Sequence, residues 1–220
     1  MGTEKVVPSD RGVFLATSWR MPPSLTSVIS DLFYQGELQP CIAKSENKII
    51  WEGLQQGLCF ESVEHLYNGS SSQEEIDRIE HLVDQLIGCS YQMIQQDGES
   101  TSVFKSVISR EDILITAPYN HQVNQLRRRL GDRARIGTVD SFQGQEAPIS
   151  IHSLTASDGE NAPRGIGFVL DPDRLNVAIS RAQCLSIVVG SPNLATGITG
   201  TVEGVMQLNR LCRIMDTATK

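Results

Sequence analysis

Two polar clusters interrupt an otherwise apolar chain, and their residue types suit the handling of phosphate and sugar groups. Thr138, Asp140, Ser141, Gln143, Gln145 and Glu146 fall within nine residues, and Asn176 and Arg181 lie five residues apart farther on. A guanidinium is a planar fork of donors that matches phosphate oxygens. Arg181 is the one charge within Ala178-Ile-Ser-Arg-Ala182, so it is a candidate for stabilising charge on a phosphoryl group in transfer. Arg20 has the same capacity and stands beside Trp19, whose flat face can stack on a base. Glu146, near Gly144, can accept hydrogen bonds from a ribose hydroxyl. Each residue also has a plainer reading. A helix arginine is usually solvated or ion-paired, a glutamate is usually a surface carboxylate, and Gln143 and Gln145 can cap a turn. Arg127, Arg128 and Arg129, with Arg133 and Arg135, read most simply as a solvent-facing helix surface, with contact to a phosphate backbone as the lesser alternative. A Gly-x-x-x-x-Gly-Lys-[Ser/Thr] loop is absent, as is an apolar strand ending in Asp-Glu, so a self-sufficient phosphate cradle and metal site are missing.

The elements that must position these groups follow from hydrophobic spacing. From Asp112 onward, short apolar runs alternate with helical patterns. Ile113–Ala117 reads as a strand, followed by a helix with Val123, Leu126 and Leu130 on one face and Gly131 at its end. Ala134–Val139, Pro148–Leu154 and Leu185–Gly190 read as further strands. Residues 157–167, with three glycines and a proline, read as a loop. A helix through Leu175, Ala178, Ile179 and Ala182 precedes the last strand, and Val202, Val205, Met206, Leu208, Leu211, Cys212 and Met215 mark a final helix. Earlier, Val13–Thr17 reads as a short buried strand, and Pro22-Pro23 opens a helix through Leu25, Val28, Ile29, Leu32 and Phe33 that stops near Gly36. Residues 40–57 read as irregular and Leu58–Val63 as a strand. Ser72 with Glu75 suggests a capping box for a helix through Ile76, Ile79, Leu82, Val83, Leu86 and Ile87, stopped by Gly88. Residues 95–106, polar and serine-rich, read as a flexible connection. This alternation argues for an α/β fold with a mostly parallel sheet covered on both faces. Ligands of such sheets sit beyond the carboxyl ends of the strands. The loops at Ser18–Pro22, Ala117–Gln122 and Asp140–Glu146, with the helix of Asn176 and Arg181, are therefore expected at one sheet edge.

Composition bounds the function classes. With 220 residues, 40% of them hydrophobic and 20% charged, the chain fits one large globular domain. No apolar run is long enough to span a bilayer and no signal pattern opens the sequence, so a cytoplasmic protein without a membrane partner is expected. Five scattered cysteines and four histidines lack ligand spacing, which argues for reduced thiols and no bound transition metal. The net charge of −7 argues at first against a nucleic-acid partner. Its distribution removes the objection. Residues 46–112 hold 13 acidic residues against four basic ones, whereas the remainder holds 15 basic against 13 acidic. The region bearing the polar clusters is close to neutral.

In combination the clusters resemble a family. Val139-Asp-Ser-Phe-Gln-Gly-Gln-Glu146 and Arg174-Leu-Asn-Val-Ala-Ile-Ser-Arg-Ala182 resemble motifs V and VI of superfamily 1 helicases. Ser18-Trp-Arg-Met-Pro-Pro23 with Phe33-Tyr-Gln-Gly-Glu-Leu38 resembles the Tyr-Arg-Met-His-Pro block of the up-frameshift-like (1B) branch. Ile115–Gln122 resembles its motif IV region, and Gly167–Asn176 fits the approach to motif VI. The likeness spans roughly residues 13–215 in order and spacing. One departure is Pro22, where histidine is usual. Trp19 in place of the block's tyrosine, and the C-terminal helix, are similar to bacterial members that fuse the motor to a RecB-like nuclease.

The resemblance implies a RecA-like three-layer sandwich, residues 13–220, after an N-terminal extension of residues 1–12 and with an acidic variable region at 46–112. It would be the second domain of a two-domain ATP-dependent motor. ATP with Mg²⁺ would bind between the halves, and the first RecA-like domain would supply the phosphate loop, metal site and catalytic carboxylate. By similarity, Arg20 and Arg181 would reach the γ-phosphate. Trp19, Gly144 and Glu146 would line the nucleotide, and Gln143 would couple the nucleotide and strand sites. Tyr119, Asn120, Thr138, Ser141 and Asn176 would face single-stranded DNA or RNA, contacting mainly phosphate and sugar. The isolated chain is then expected to lack ATPase activity. The competing classes are an inactive RecA-like scaffold, disfavoured by the joint presence of Arg20, Glu146 and Arg181, and a motor that only feeds a fused nuclease.

Overall fold

The computed structural model describes residues 12–97, 100–197 and 199–217. The expected extension at residues 1–12 lies outside them apart from Gly12. In chain order the elements are β1 (Thr17–Ser18), α1 (Pro23–Phe33), β2 (Gln39–Pro40), β3 (Lys48–Ile50), β4 (Gly57–Ser62), α2 (Gln73–Leu86), β5 (Ser90–Asp97) and β6 (Ser100–Val107). There follow β7 (Ile113–Thr116), α3 (Asn120–Leu130), β8 (Arg135–Gly137), β9 (Ala147–Ser153), α4 (Ile166–Val169), α5 (Pro172–Ile179), β10 (Ala182–Gly190) and α6 (Val202–Thr217). The central sheet has five strands in the order β4-β10-β9-β7-β8, and every pairing in it is parallel. β7 and β9 are buried at every position, as strands covered on both faces must be.

Two hydrophobic layers complete the sandwich. On one face Ile76, Ile79, Leu82 and Leu86 of α2, with Val123, Leu126 and Leu130 of α3, pack on Ile113, Ile115, Ile149, Ile151, Leu185 and Ile187. On the other, Leu25, Ile29 and Phe33 of α1, Leu175 and Ile179 of α5, and Leu211 and Ile214 of α6 pack on Leu58, Leu154 and Val188. This is the α/β architecture expected from the alternation of short strands and helices, and the RecA-like sandwich that the family resemblance implies.

Several local expectations are corrected. Residues 95–106 are no flexible connection: β5 and β6 form an antiparallel hairpin in register from Ser90↔Val107 to Asp97↔Ser100, extended by β3. Serines and glutamines dilute the apolar alternation there because Val103, Phe104 and Val107 face solvent. Residues 40–57, read as irregular, contain β3. Val13 and Leu15 are 87% and 81% exposed rather than in a buried strand, and only Thr17–Ser18 pairs, with Gln39–Pro40. The capping box at Ser72 is half made. Its hydroxyl accepts the Glu75 N–H at 3.2 Å, but the Glu75 carboxylate turns inward to His65 at 3.0 Å. Within the acidic region 46–112, β4 and α2 belong to the central sheet and core, while β3, β5 and β6 form a separate small sheet.

Candidate nucleotide and strand sites at opposite ends of the sheet

Because the five central strands are parallel, residues that precede a strand lie at the sheet's amino end and residues that follow it lie at the carboxyl end. Glu146 precedes β9 and Arg181 precedes β10, so both stand at the amino end. Pro118, Asn120 and Thr138 follow β7 and β8 and stand at the carboxyl end. The expected convergence of all four loops on one edge is therefore wrong; the polar clusters form two sites.

At the amino end, Arg20 is delivered by pairing of β1 with β2 and by the Pro22-Pro23 start of α1. Its Nε donates to Glu146 Oε2 at 2.5 Å and its Nη1 to the Ser180 carbonyl at 3.0 Å. The other Glu146 oxygen accepts from Gln183 at 2.7 Å, and Arg135 donates to the Glu146 carbonyl at 3.0 Å. α5, opened by Pro172 and capped by the Asp171 carboxylate on the Arg174 N–H, ends at Ile179 and turns straight into β10. That turn sets Arg181 beside Arg20. Arg181 is 9% exposed, yet its Nε has no hydrogen-bond partner. Burial, then the neighbouring Arg20 charge, push its pKa down, while Glu146 opposes them. A guanidinium remains charged regardless. A buried cation with an unused donor beside a second cation is costly, and an anion would relieve it. Trp19 is 60% exposed next to this cluster. Gly144 has φ +80 with open space where a Cβ would stand.

The connection from β8 to β9 runs back along the sheet face, packing Phe142 against Leu114. Between it and α5 lies a groove of about 330 Å³ lined by Val139, Asp140, Gln143, Arg174, Val177 and Arg181. A second cavity, of about 200 Å³, shares Val139, Asp140 and Arg174 and continues to Ala117, Asn120 and Thr138 at the carboxyl end. Gln143 thus lies on the segment that joins the two ends.

The expected strand-facing residues divide. Asn120 and Ser141 are exposed and Thr138 is half-buried. The Thr138 and Ser141 hydroxyls are 2.8 Å apart, a reciprocal cap of the 3₁₀ turn Val139–Phe142. Tyr119 does not belong with them: it is 8% exposed, its ring packs on Phe168 at 5.3 Å, and burial raises its pKa. Asn176 is half-buried on α5, where its amide donates to the Tyr34 hydroxyl at 2.9 Å. Four of the five arginines near α3 are engaged internally, and Arg128 is exposed. Arg129 and Arg133 pair with Asp77, Glu80 and Asp84 of α2, and Arg127 donates to the Ile136 carbonyl. Sequence reasoning missed Gln183 and Arg135 as supports of Glu146. Their partners lie 37 and 11 residues away, and no local spacing signals such contacts.

Fold and site together define a RecA-like domain that offers a two-arginine cluster at one end of its sheet. A family model described as an AAA domain (AAA_12) matches residues 4–193, and the chain belongs to that family. Among similar proteins, the putative helicase mov-10-B.1 of Danio rerio is 30% identical over 208 residues, covering 81% of this chain and 19% of that protein. The regulator of nonsense transcripts 1 homolog of Drosophila melanogaster is 30% identical over 207 residues, covering 86% of this chain and 16% of its own length. The DNA polymerase alpha-associated DNA helicase A of Schizosaccharomyces pombe is 28% identical over 196 residues, covering 82% of this chain and 28% of that protein. The relatives are up-frameshift-like superfamily 1 helicases, and this chain matches the C-terminal RecA-like domain of that 1B branch. It spans less than a third of the length of each of these three relatives. No helix among the described residues is long and apolar enough to cross a membrane.

Proposed function

We propose that this chain is the second motor domain of an ATP-dependent nucleic-acid helicase and that its amino-end cluster completes a nucleotide site begun on a first RecA-like domain. The observation that carries the proposal is Arg181, buried, cationic and with an unused donor, beside Arg20. This donor set fits phosphate oxygens. When bound, ATP with Mg²⁺ supplies the phosphoryl group and its hydrolysis free energy, and the metal is assigned to the other domain. Arg181 and Arg20 would lie against the γ-phosphate as arginine fingers, with Arg20 exchanging its Glu146 partner for the nucleotide. Glu146, held by Gln183, would accept from the ribose. Trp19 would stack on the base, and the open backbone at Gly144 would let the nucleotide approach. Asn120, Thr138 and Ser141 at the carboxyl end would contact single-stranded DNA or RNA, and Gln143 on the joining segment would transmit closure from one end to the other.

In the full-length protein, Arg181→Ala is expected to lower strand-stimulated ATP turnover by about 10³-fold or more, as loss of an arginine finger does. The isolated 220-residue chain is expected to hydrolyse no ATP. Turnover by the isolated chain that Arg181→Ala abolishes would overturn the two-half site.

A further inference from the structure

We propose that Arg164 and Arg174, both held over the ring of Phe168 at the carboxyl end of the sheet, bind a phosphodiester of the single strand; this rests on the motor reading above. The Arg164 Cζ lies 3.8 Å and the Arg174 Cζ 4.4 Å from the Phe168 ring centroid. The ring is itself fixed against buried Tyr119 at 5.3 Å. Two like charges brought to one ring repel each other, and the negative faces of the ring only partly offset that repulsion. The ring thus gathers two cations at one place, which an anion would stabilise. The partner present is weak: Asp140 lies 3.8 Å from Arg174 with its side chain 78% exposed, which in water contributes little. Arg164 is solvent-exposed. Both arginines line the cavity of about 200 Å³ that also holds Asn120 and Thr138, so hydrogen-bond donors for phosphate and sugar stand beside the cations. Phe168 is the positioning residue. By holding both guanidiniums it reduces the rotamer freedom each would lose on binding.

The location gives the pair a second consequence. Arg174 also lines the groove that leads to Arg181. A phosphodiester that draws Arg174 from Asp140 alters the wall of the groove beside Gln143, giving strand occupancy a physical path toward the nucleotide end.

The experiment measures affinity of the full-length protein for a fluorescently labelled oligothymidylate across a salt series, with thermal melting to confirm that each variant is folded. Arg164→Ala and Arg174→Ala are each expected to weaken binding by roughly 3- to 10-fold at about 0.1 M salt and to reduce the log–log salt slope by about 0.7. Phe168→Leu keeps an apolar side chain but removes the ring. It should weaken binding by roughly 2- to 3-fold with the salt slope retained, because the charges remain and only their placement is lost. Asp140→Asn should tighten binding. Lys105→Ala, which removes one exposed charge from β6, should leave affinity and slope unchanged and so separates a local site from net charge. Wild-type binding with both arginine variants unchanged in affinity and slope overturns this site and leaves the motor reading standing. A wild-type protein with no strand affinity overturns both.

Discussion

The two ends of the central sheet each hold a buried ionisable residue, Glu75 at one and Arg181 at the other, and they differ in how completely it is satisfied. At the carboxyl end Glu75 is fully buried and every oxygen is used. It accepts from Ser153 Oγ at 2.6 Å, meets His65 Nε2 at 3.0 Å, and takes the Thr155 N–H on both oxygens at 2.9 and 3.0 Å. His65 closes the chain on Ser157 Oγ at 2.7 Å. At the amino end Arg181 is nearly as buried, yet its Nε has no partner and its nearest charged neighbour includes another cation. A polar network with all partners present fixes structure, whereas one left short costs stability and persists where a ligand completes it. The carboxyl-end network is a clamp on the chain, and the amino-end cluster is left short of a partner, as the proposed half-site requires.

The sharpest way to break that contrast is a substitution that keeps the volume of Arg181 and removes its charge. Arg181→Met in the full-length protein is expected to lower ATP turnover by about 10³-fold, roughly 4 kcal/mol on the barrier. Its urea midpoint should hold or rise, since an uncompensated buried cation is replaced by apolar packing. A midpoint that collapses along with activity would make Arg181 a structural residue. The opposite pattern is expected of Glu75→Ala. It strands the Thr155 N–H, Ser153 and His65 together and should cost about 3 kcal/mol or more of folding stability by urea unfolding. A loss below about 1 kcal/mol would show that the network contributes little to the fold.

Acid separates the two ends next. His152 on β9 is fully enclosed, with Nδ1 2.8 Å from the Thr116 hydroxyl, and burial pushes its pKa from 6.5 down to about 4. The folded pKa is below the unfolded one, so between about pH 6.5 and pH 4 the unfolded chain binds more protons. Stability from this group is complete above that window and is lost as pH falls through it, by roughly 3 kcal/mol in all. Urea unfolding at the two ends of the window, compared with His152→Gln, checks this: the variant should lose that much less on acidification. Equal pH dependence would mean that His152 titrates normally.

Much of this fold was legible because parallel strands buried on both faces need mostly apolar runs: Ile113–Thr116 and Leu185–Gly190 come close to that, while Ala147–Ser153 buries Ser150, His152 and Ser153 among its apolar residues. The helices were equally plain wherever one face had to cover the sheet. The hairpin of β5 and β6 was not, because a ribbon with exposed faces has no need of apolar residues, and its serines mimic a linker. In the site, residue types pointed to Arg20, Glu146 and Arg181, and the family resemblance rather than local spacing grouped them. The Arg20–Glu146 contact joins residues 126 positions apart. Assigning an edge requires knowing whether a residue precedes or follows its strand, and that places Glu146 and Arg181 opposite Asn120 and Thr138. Arg164 was hidden in a loop rich in glycine, and Tyr119 was misjudged because a tyrosine that stacks on Phe168 has the same local sequence as one that faces solvent.

The mildest test concerns backbone geometry, where each end again has one unusual residue. Thr155 at the carboxyl end has φ +73, a conformation that is strained for a β-branched residue and held by the Glu75 carboxylate. Gly144 at the amino end has φ +80, which glycine adopts freely. No atom lies within 4 Å of a Cβ built on Gly144, so Gly144→Ala introduces no clash and its cost is conformational, about 1 kcal/mol by urea unfolding. The functional outcome should exceed that small loss. If the open space above Gly144 is where nucleotide approaches the backbone, the added methyl raises KM for ATP in the full-length protein while kcat changes little, since Arg20 and Arg181 are untouched. An unchanged KM alongside the same stability loss would assign Gly144 to the turn alone and move the nucleotide's path toward Trp19.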